Sequence, residues 1–203
     1  EITPLLDQAG IKIVATERFA RTDTSVTPQA LKLTAANPDA MLIVASGSGA
    51  AMPHMAVVDR GYKGKIYQTH AAATQDLMRV GGKAVEGSFV VSGPAVIAEQ
   101  LPDSHPSKKL AIDFVTKYEK AYGPGSRNQF GGHAYDGLMI AVDAIKRAGT
   151  TDGPKLRDAL AVTKDFAGAT GRITFDAQRN PTKSAVVLTV KNGRYAFVQD
   201  VHP

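Results

Sequence analysis

Apolar residues along the chain come in short runs separated by amphipathic stretches, a pattern that predicts strands joined by helices. Glu1 to Gly10 reads as the last turns of a helix, with Gly10 just past its end. Ile11 to Val14 is β-branched and apolar apart from Lys12 and predicts a strand. Thr27 and Pro28 mark a helix start, as N-cap and first helical residue, and Asn37-Pro38-Asp39 stops that helix. Met41 to Ala45 is apolar at every position, as expected of a central strand buried on both faces. It runs into Ser46 to Gly49 and then a helix to about Arg60. Ile66 to Gln68 predicts the next strand, Thr74 to Val80 a helix broken by Gly81-Gly82, and Ser88 to Ser92 another strand. Strands and helices alternating at this spacing indicate βαβ units, a parallel sheet and right-handed crossovers.

From Gly93 the pattern changes. Pro94 to Pro106 carries few periodic signals and reads as a crossing segment. Ser107 to Tyr122 predicts a helix, with Leu110, Phe114 and Tyr118 on one stripe and Ala111, Val115 and Tyr122 beside them. A second helix over His133 to Ala148 lines up Tyr135, Leu138, Val142 and Ile145, and Gly153-Pro154 opens a third, shorter one. Gly171 to Asp176 alternates like a half-exposed strand. Ala185 to Val190 and Tyr195 to Val198, joined through Asn192-Gly193, predict a β-hairpin. The first hundred residues and the last twenty therefore read as one α/β unit interrupted by a helical block.

Composition narrows the classes. With 203 residues, 43% of them hydrophobic and 21% charged, the chain is long enough to bury a substantial core and too apolar for disorder. No apolar run approaches the 18 or more residues of a membrane span. The net charge of +5 raises nucleic acid as a partner, but the 24 Lys and Arg are scattered and reach only pairs such as Lys108-Lys109. They read as solvated surface, with no nucleic-acid partner. The absence of cysteine removes disulfides, thiolate catalysis and Cys-based zinc sites. Because a helix ends at once after position 1, the chain reads as the C-terminal portion of something longer.

Candidate chemistry concentrates in two loops, because ligands of open parallel sheets sit beyond the carboxyl ends of the strands. Ser46, Gly47, Ser48, Gly49 and Ala50 offer small side chains, two hydroxyls and the amides of a helix start, which attract anions. The same residues also suit a plain tight turn with a capping serine. A dinucleotide site fits poorly: Met52 stands where a third glycine belongs, and the nearest downstream acid, Asp59, comes too early. Thr69, His70 and Ala71 form the second loop, where His70 can meet a ligand or serve as a hydrogen-bonded loop residue. Catalysis finds no support: there is no Gly-x-Ser-x-Gly elbow, and His54, His70, His105, His133 and His202 include no pair at metal-ligand spacing. Asp136 and Asp143 read as solvated surface. No cofactor and no metal are expected.

Several stretches, in order, resemble the periplasmic leucine/isoleucine/valine-binding protein family, the type I solute-binding receptors of ABC importers. They are Asp39 to Gly47, Arg60 to Tyr67, Gly81-Gly82 with Val85 to Gly87, His133 to Asp136, Gly168 with Gly171 to Asp176, and Val190 to Tyr195. The resemblance implies an α/β fold, the type I periplasmic-binding-protein fold, with Rossmann-like parallel sheets in two lobes, present here as a C-terminal fragment. Residues 1–93 would be lobe two, incomplete at its N-terminus; residues 94–184 the returning segment of lobe one; residues 185–203 the C-terminal hairpin of lobe two. It implies a periplasmic receptor, without catalysis, that closes on a small-molecule ligand and docks on a membrane permease. Ligand contacts fall by position on Ser46 to Ala50, on Thr69 to Ala71 centred on His70, and on Phe130. In amino-acid-binding members the place of His70 is commonly acidic. Histidine there favours an aromatic or other organic acid, with a branched-chain amino acid as the alternative. A Rossmann-like enzyme acting on a phosphorylated substrate and the sensory domain of a signalling protein are the rival readings. Lobe surfaces cut by truncation favour self-association.

Overall fold

The computed structural model describes residues 2–202. Helix α1 (Thr3–Gln8) ends where Gly10 N–H bonds Asp7 C=O and Ile11 N–H bonds Leu6 C=O, the paired closure of a glycine-terminated helix. The expected strand over Ile11 to Val14 is absent: the segment is irregular, and Ile11, Ile13 and Val14 are exposed. β-branched residues prefer a pleated surface only where a neighbouring strand supplies the ladder, and none pairs with them among the described residues.

Helix α2 (Thr27–Ala35) carries Pro28 in its first turn, with Thr27 inside the helix and Val26 at the cap. Strand β1 (Ala40–Ile43), helix α3 (Ser48–Val58), strand β2 (Lys65–Gln68), helix α4 (Gln75–Gly81) and strand β3 (Phe89–Ser92) follow as parallel β–α units. The next residues, Pro94–Gln100, form a 3-10 segment rather than an open crossing, and Ala95, Ile97, Ala98 and Leu101 are buried. Helices α5 (Lys108–Tyr122), α6 (Gln129–Ala148) and α7 (Gly153–Ala161) come next. A small antiparallel sheet then joins β4 (Phe166–Gly168), β5 (Gly171–Phe175) and β6 (Pro181–Thr182).

The chain finally returns to the first sheet as the hairpin β7 (Ala185–Lys191) and β8 (Arg194–Val201). Asn192 and Gly193 both take positive φ, 53° and 67°, as a two-residue hairpin turn requires. The resulting sheet runs β1-β2-β3-β7-β8 and is mixed, since β7 lies antiparallel to β3. Residues 40–92 and 185–201 thus share one sheet, while residues 166–182 form another.

Strand β1 departs from the expected centre of the sheet. It is an edge strand buried on one face only: Met41 and Ile43 pack with Ala30, Val57 and Ile66, whereas Leu42 and Val44 are exposed. The bare face continues through Tyr67, which stacks on Phe89 at 5.3 Å between ring centres, and Val91. The opposite face buries Val90, Val186, Leu188 and Val190 against α3 and α4, and this core continues to Phe114 and Val115 of α5.

Candidate functional site

Both predicted loops sit at the carboxyl ends of adjacent parallel strands. Ser46 to Ala50 follows β1, and Thr69 to Ala71 follows β2, with Thr69 N–H donating to Ile43 C=O at 3.2 Å. Gly47 precedes α3 with φ 54° and ψ −134°, a backbone state that side chains resist, so glycine is required there for the turn. Ser46 and Ser48 are exposed and Gly47 and Gly49 half-buried, whereas Ala50 is fully buried in the core and turns its methyl away from solvent.

The start of α3 is chemically open. No side chain caps it and no acid lies in its first turn, so its amides keep their attraction for an anion. Pro53 inside the helix lacks the N–H that would bond Gly49 C=O, leaving an acceptor in the same turn. A methyl placed on Gly47 would lie 3.9 Å from Asp76 Oδ2, so a carboxylate from α4 faces this loop. Asp76 holds Arg79 through its other oxygen, Oδ1.

Beneath the loops, Gln68 interrupts an otherwise apolar row formed by Ile43, Val90 and Leu188. Its Nε2 donates to Ala50 C=O at 3.3 Å and to His54 Nδ1 at 3.1 Å, fastening the end of β2 to the first turns of α3. Gln68 and His54 are almost entirely buried, and burial pushes His54 down to about 4. Neutral His54 can accept from Gln68; the protonated ring cannot.

The second loop meets helix α6. Gln129 Nε2 donates to His70 C=O, and the His70 ring sits edge-on to His133, 4.9 Å between centres. Lys183, just before β7, reaches the same place: its Nζ lies 3.3 Å from His133 Nδ1 and 3.0 Å from Thr170 Oγ1. Thr170 Oγ1 in turn donates to Asp136 Oδ2 at 2.7 Å. His70 is held down to about 4, first by burial, then by the charges of His133 and Lys183. His133 and Lys183 are also shifted down, chiefly by burial, with Asp136 opposing. Phe130, 52% exposed, follows Gln129 in the first turn of α6.

Asp136 is not the solvated residue that its acidity suggested. It is 2% exposed and accepts from Ala169 N–H and Thr170 N–H, both at 2.8 Å, as well as from the Thr170 hydroxyl. The buried stripe of α6 runs through Gln129, Gly132, Asp136, Ile140 and Ala144, not through the predicted Leu138, which is 64% exposed. The sequence held a signal for this: Gln129, Asp136 and His133 fall on one face at three- and four-residue spacing. Polarity hid it, because a carboxylate counts against burial until its donors are known. Asp143 does lie at the surface, paired with Arg147. No group of three or more His, Asp or Glu able to hold a metal occurs among the described residues, and no helix there is long and apolar enough to cross a membrane.

Two loops thus lie at the carboxyl ends of adjacent parallel strands, and the second of them is met by a helix from a later stretch of chain. A model of the periplasmic binding protein family matches residues 1–194, and the chain belongs to that family. An extracellular ligand-binding receptor from Rhodopseudomonas palustris HaA2 is 42% identical, with a TM-score of 0.87 over 98% of this chain and 58% of that one. The leucine-binding protein LivK from Thermotoga maritima MSB8 is 28% identical, with a TM-score of 0.82 over 99% of this chain and 55% of that one. A Leu/Ile/Val-binding protein homolog 2 from Brucella abortus (strain 2308) is 26% identical over 147 residues, 70% of this chain and 37% of the relative. The chain therefore spans little more than half of these structures and about a third of the curated relative. The fold is the type I periplasmic-binding-protein fold, carried by part of its usual length.

Proposed function

We propose that the protein is an extracytoplasmic solute-binding receptor that hands a small ligand to the membrane permease of an ABC importer, without catalysis. The carrying observation is the meeting of the β2 loop with the start of α6, where Gln129 donates to His70 C=O and the His70 ring sits 4.9 Å from that of His133. A ligand held there touches two stretches of chain, 1–93 and 94–184, which we assign to lobes two and one, with 185–203 returning to lobe two. Only contacts made better in the closed state can drive a hinge.

A branched-chain amino acid is the favoured ligand, on the names of the relatives and on the chemistry of the wall. Asp76 Oδ2 and Gly49 C=O suit its ammonium, with the hydroxyls of Ser46 and Ser48 beside them. Thr69, His70, Ala71 and Phe130 line the remaining side; Ala50 contributes only its backbone. One observation favours a second reading, an aromatic or other organic acid: His70, His133 and Lys183 gather basic groups where an ammonium would be repelled.

Thermal denaturation of the complete receptor with leucine, isoleucine, valine, aromatic carboxylates and short dicarboxylates decides between them. Ligand at about a hundred times its Kd adds roughly 2.7 kcal/mol. A rise with the three amino acids is expected. A rise with aromatic carboxylates alone would put the organic acid first, and no rise with any of them, alongside turnover of a phosphorylated compound, would overturn the receptor.

A further inference from the structure

We infer that Lys183, His133 and His70 form a carboxylate-receiving site, one that Lys183 charges and the two imidazoles complete; the inference rests on the receptor reading above. Three potential cation bearers converge here, yet the contacts of Lys183 Nζ are a hydroxyl and an imidazole, both neutral. Among the described residues the carboxylate that acts on Lys183 is Asp136, and both its oxygens are occupied: Oδ1 by Ala169 N–H, Oδ2 by Thr170 N–H and the Thr170 hydroxyl. It orients Lys183 through Thr170 without pairing with it.

An ammonium has three N–H donors, and Lys183 uses two, so one remains for a ligand. Accepting from Lys183 at Nδ1 leaves neutral His133 with its proton on Nε2, a second donor. His70 Nε2 is buried without a partner, a third group that an acceptor would satisfy. A half-buried ammonium lacking a counter-ion is costly, and an entering anion relieves it. Lys183 and His133 are half-buried rather than sealed, so the place is reachable from solvent. Local patterning does not reveal the cluster, because Lys183 lies 50 residues from His133.

Calorimetric titration of the complete receptor with leucine, leucinamide and 4-methylpentanoate separates the contributions. Lys183→Met should weaken leucine and 4-methylpentanoate by about tenfold or more, since charged hydrogen bonds are the strong ones, and leave leucinamide unchanged. Lys183→Arg should restore most of the loss. Removing an ammonium without a counter-ion should not lower the melting temperature, so a folding defect is separable. Equal carboxylate binding by Lys183→Met overturns the site. If none of the three compounds binds, the branched-chain reading fails, and acetate decides the site alone. Followed by NMR in the wild type, acetate should raise the titration midpoints of His133 and His70, and Lys183→Met should abolish that response. Midpoints indifferent to acetate overturn the site whatever the natural ligand.

Discussion

His54 and His70 lie at opposite ends of the same strand-to-loop junction, and both are pushed from 6.5 down to about 4, yet the causes differ. His54 is lowered by desolvation, opposed by a backbone hydrogen bond with Ala84: it is 2% exposed within α3, and no charged neighbour takes part in its shift. His70 feels burial first and then its basic neighbours, His133 when it is protonated and Lys183. A shift caused by burial ends only when the protein opens. One caused in part by cations can be reversed by an anion, with the fold intact. The first histidine belongs to the scaffold that aims the loops; the second belongs to the surface those loops present.

The comparison breaks most violently at Asp136, which anchors the second cluster and has no counterpart in the first. Asp136→Ala leaves Ala169 N–H, Thr170 N–H and the Thr170 hydroxyl buried without an acceptor, and should cost about 3–5 kcal/mol in chemical denaturation. Gly168→Ala tests the same packing from the other side, since its methyl would fall 2.5 Å from Asp136 Oδ2 and 2.9 Å from Gly171 C=O. Asp136→Ala within about 1 kcal/mol of wild type would show that the carboxylate is better solvated than its 2% exposure implies.

Acid titration sharpens the comparison next. Each histidine has a folded value below its unfolded one, so the unfolded chain takes up the proton first. The stability that each contributes is complete above about pH 6.5 and is lost as pH falls toward about 4. The full loss is on the order of 3 kcal/mol for His54, and less for the more accessible His70. His54→Leu should flatten this acid limb in the absence and presence of carboxylate alike. In the wild type, carboxylate should recover only the part belonging to His70. An acid limb unchanged by His54→Leu would remove the scaffold half of the argument.

These differences also mark what the sequence could show. The β–α alternation from Ala40 to Ser92, the Asn192-Gly193 hairpin and the two loops were legible, because local periodicity and turn chemistry determine them. The edge position of β1 was not: an all-apolar run looks the same whether both faces are covered or one is bare, as Leu42 and Val44 are here. Nor was the junction cluster, whose members Gln129, His133, Thr170 and Lys183 belong to separate elements that only the folded chain brings to His70. In the sequence Gln68 is merely the end of a strand. Its role depends on the helix above it, where His54 and the Ala50 carbonyl supply the partners.

Gln68 offers the smallest effect and the finest distinction. Gln68→Met preserves shape while removing donors to Ala50 C=O and His54 Nδ1. It also removes Gln68 Oε1, a buried acceptor with no partner, so the gain offsets much of the loss and stability near neutral pH should change by only about 1 kcal/mol. The Gln68 amide, however, donates to the neutral form of His54 and so opposes protonation. Without it His54 should titrate at a higher pH, closer to its unfolded value, so the acid limb should lose less stability and level off at a higher pH, while the response of His70 to carboxylate stays as it was. A variant that shifts both histidines together would mean that the two clusters are one coupled network, and that the scaffold and the binding surface titrate as a unit.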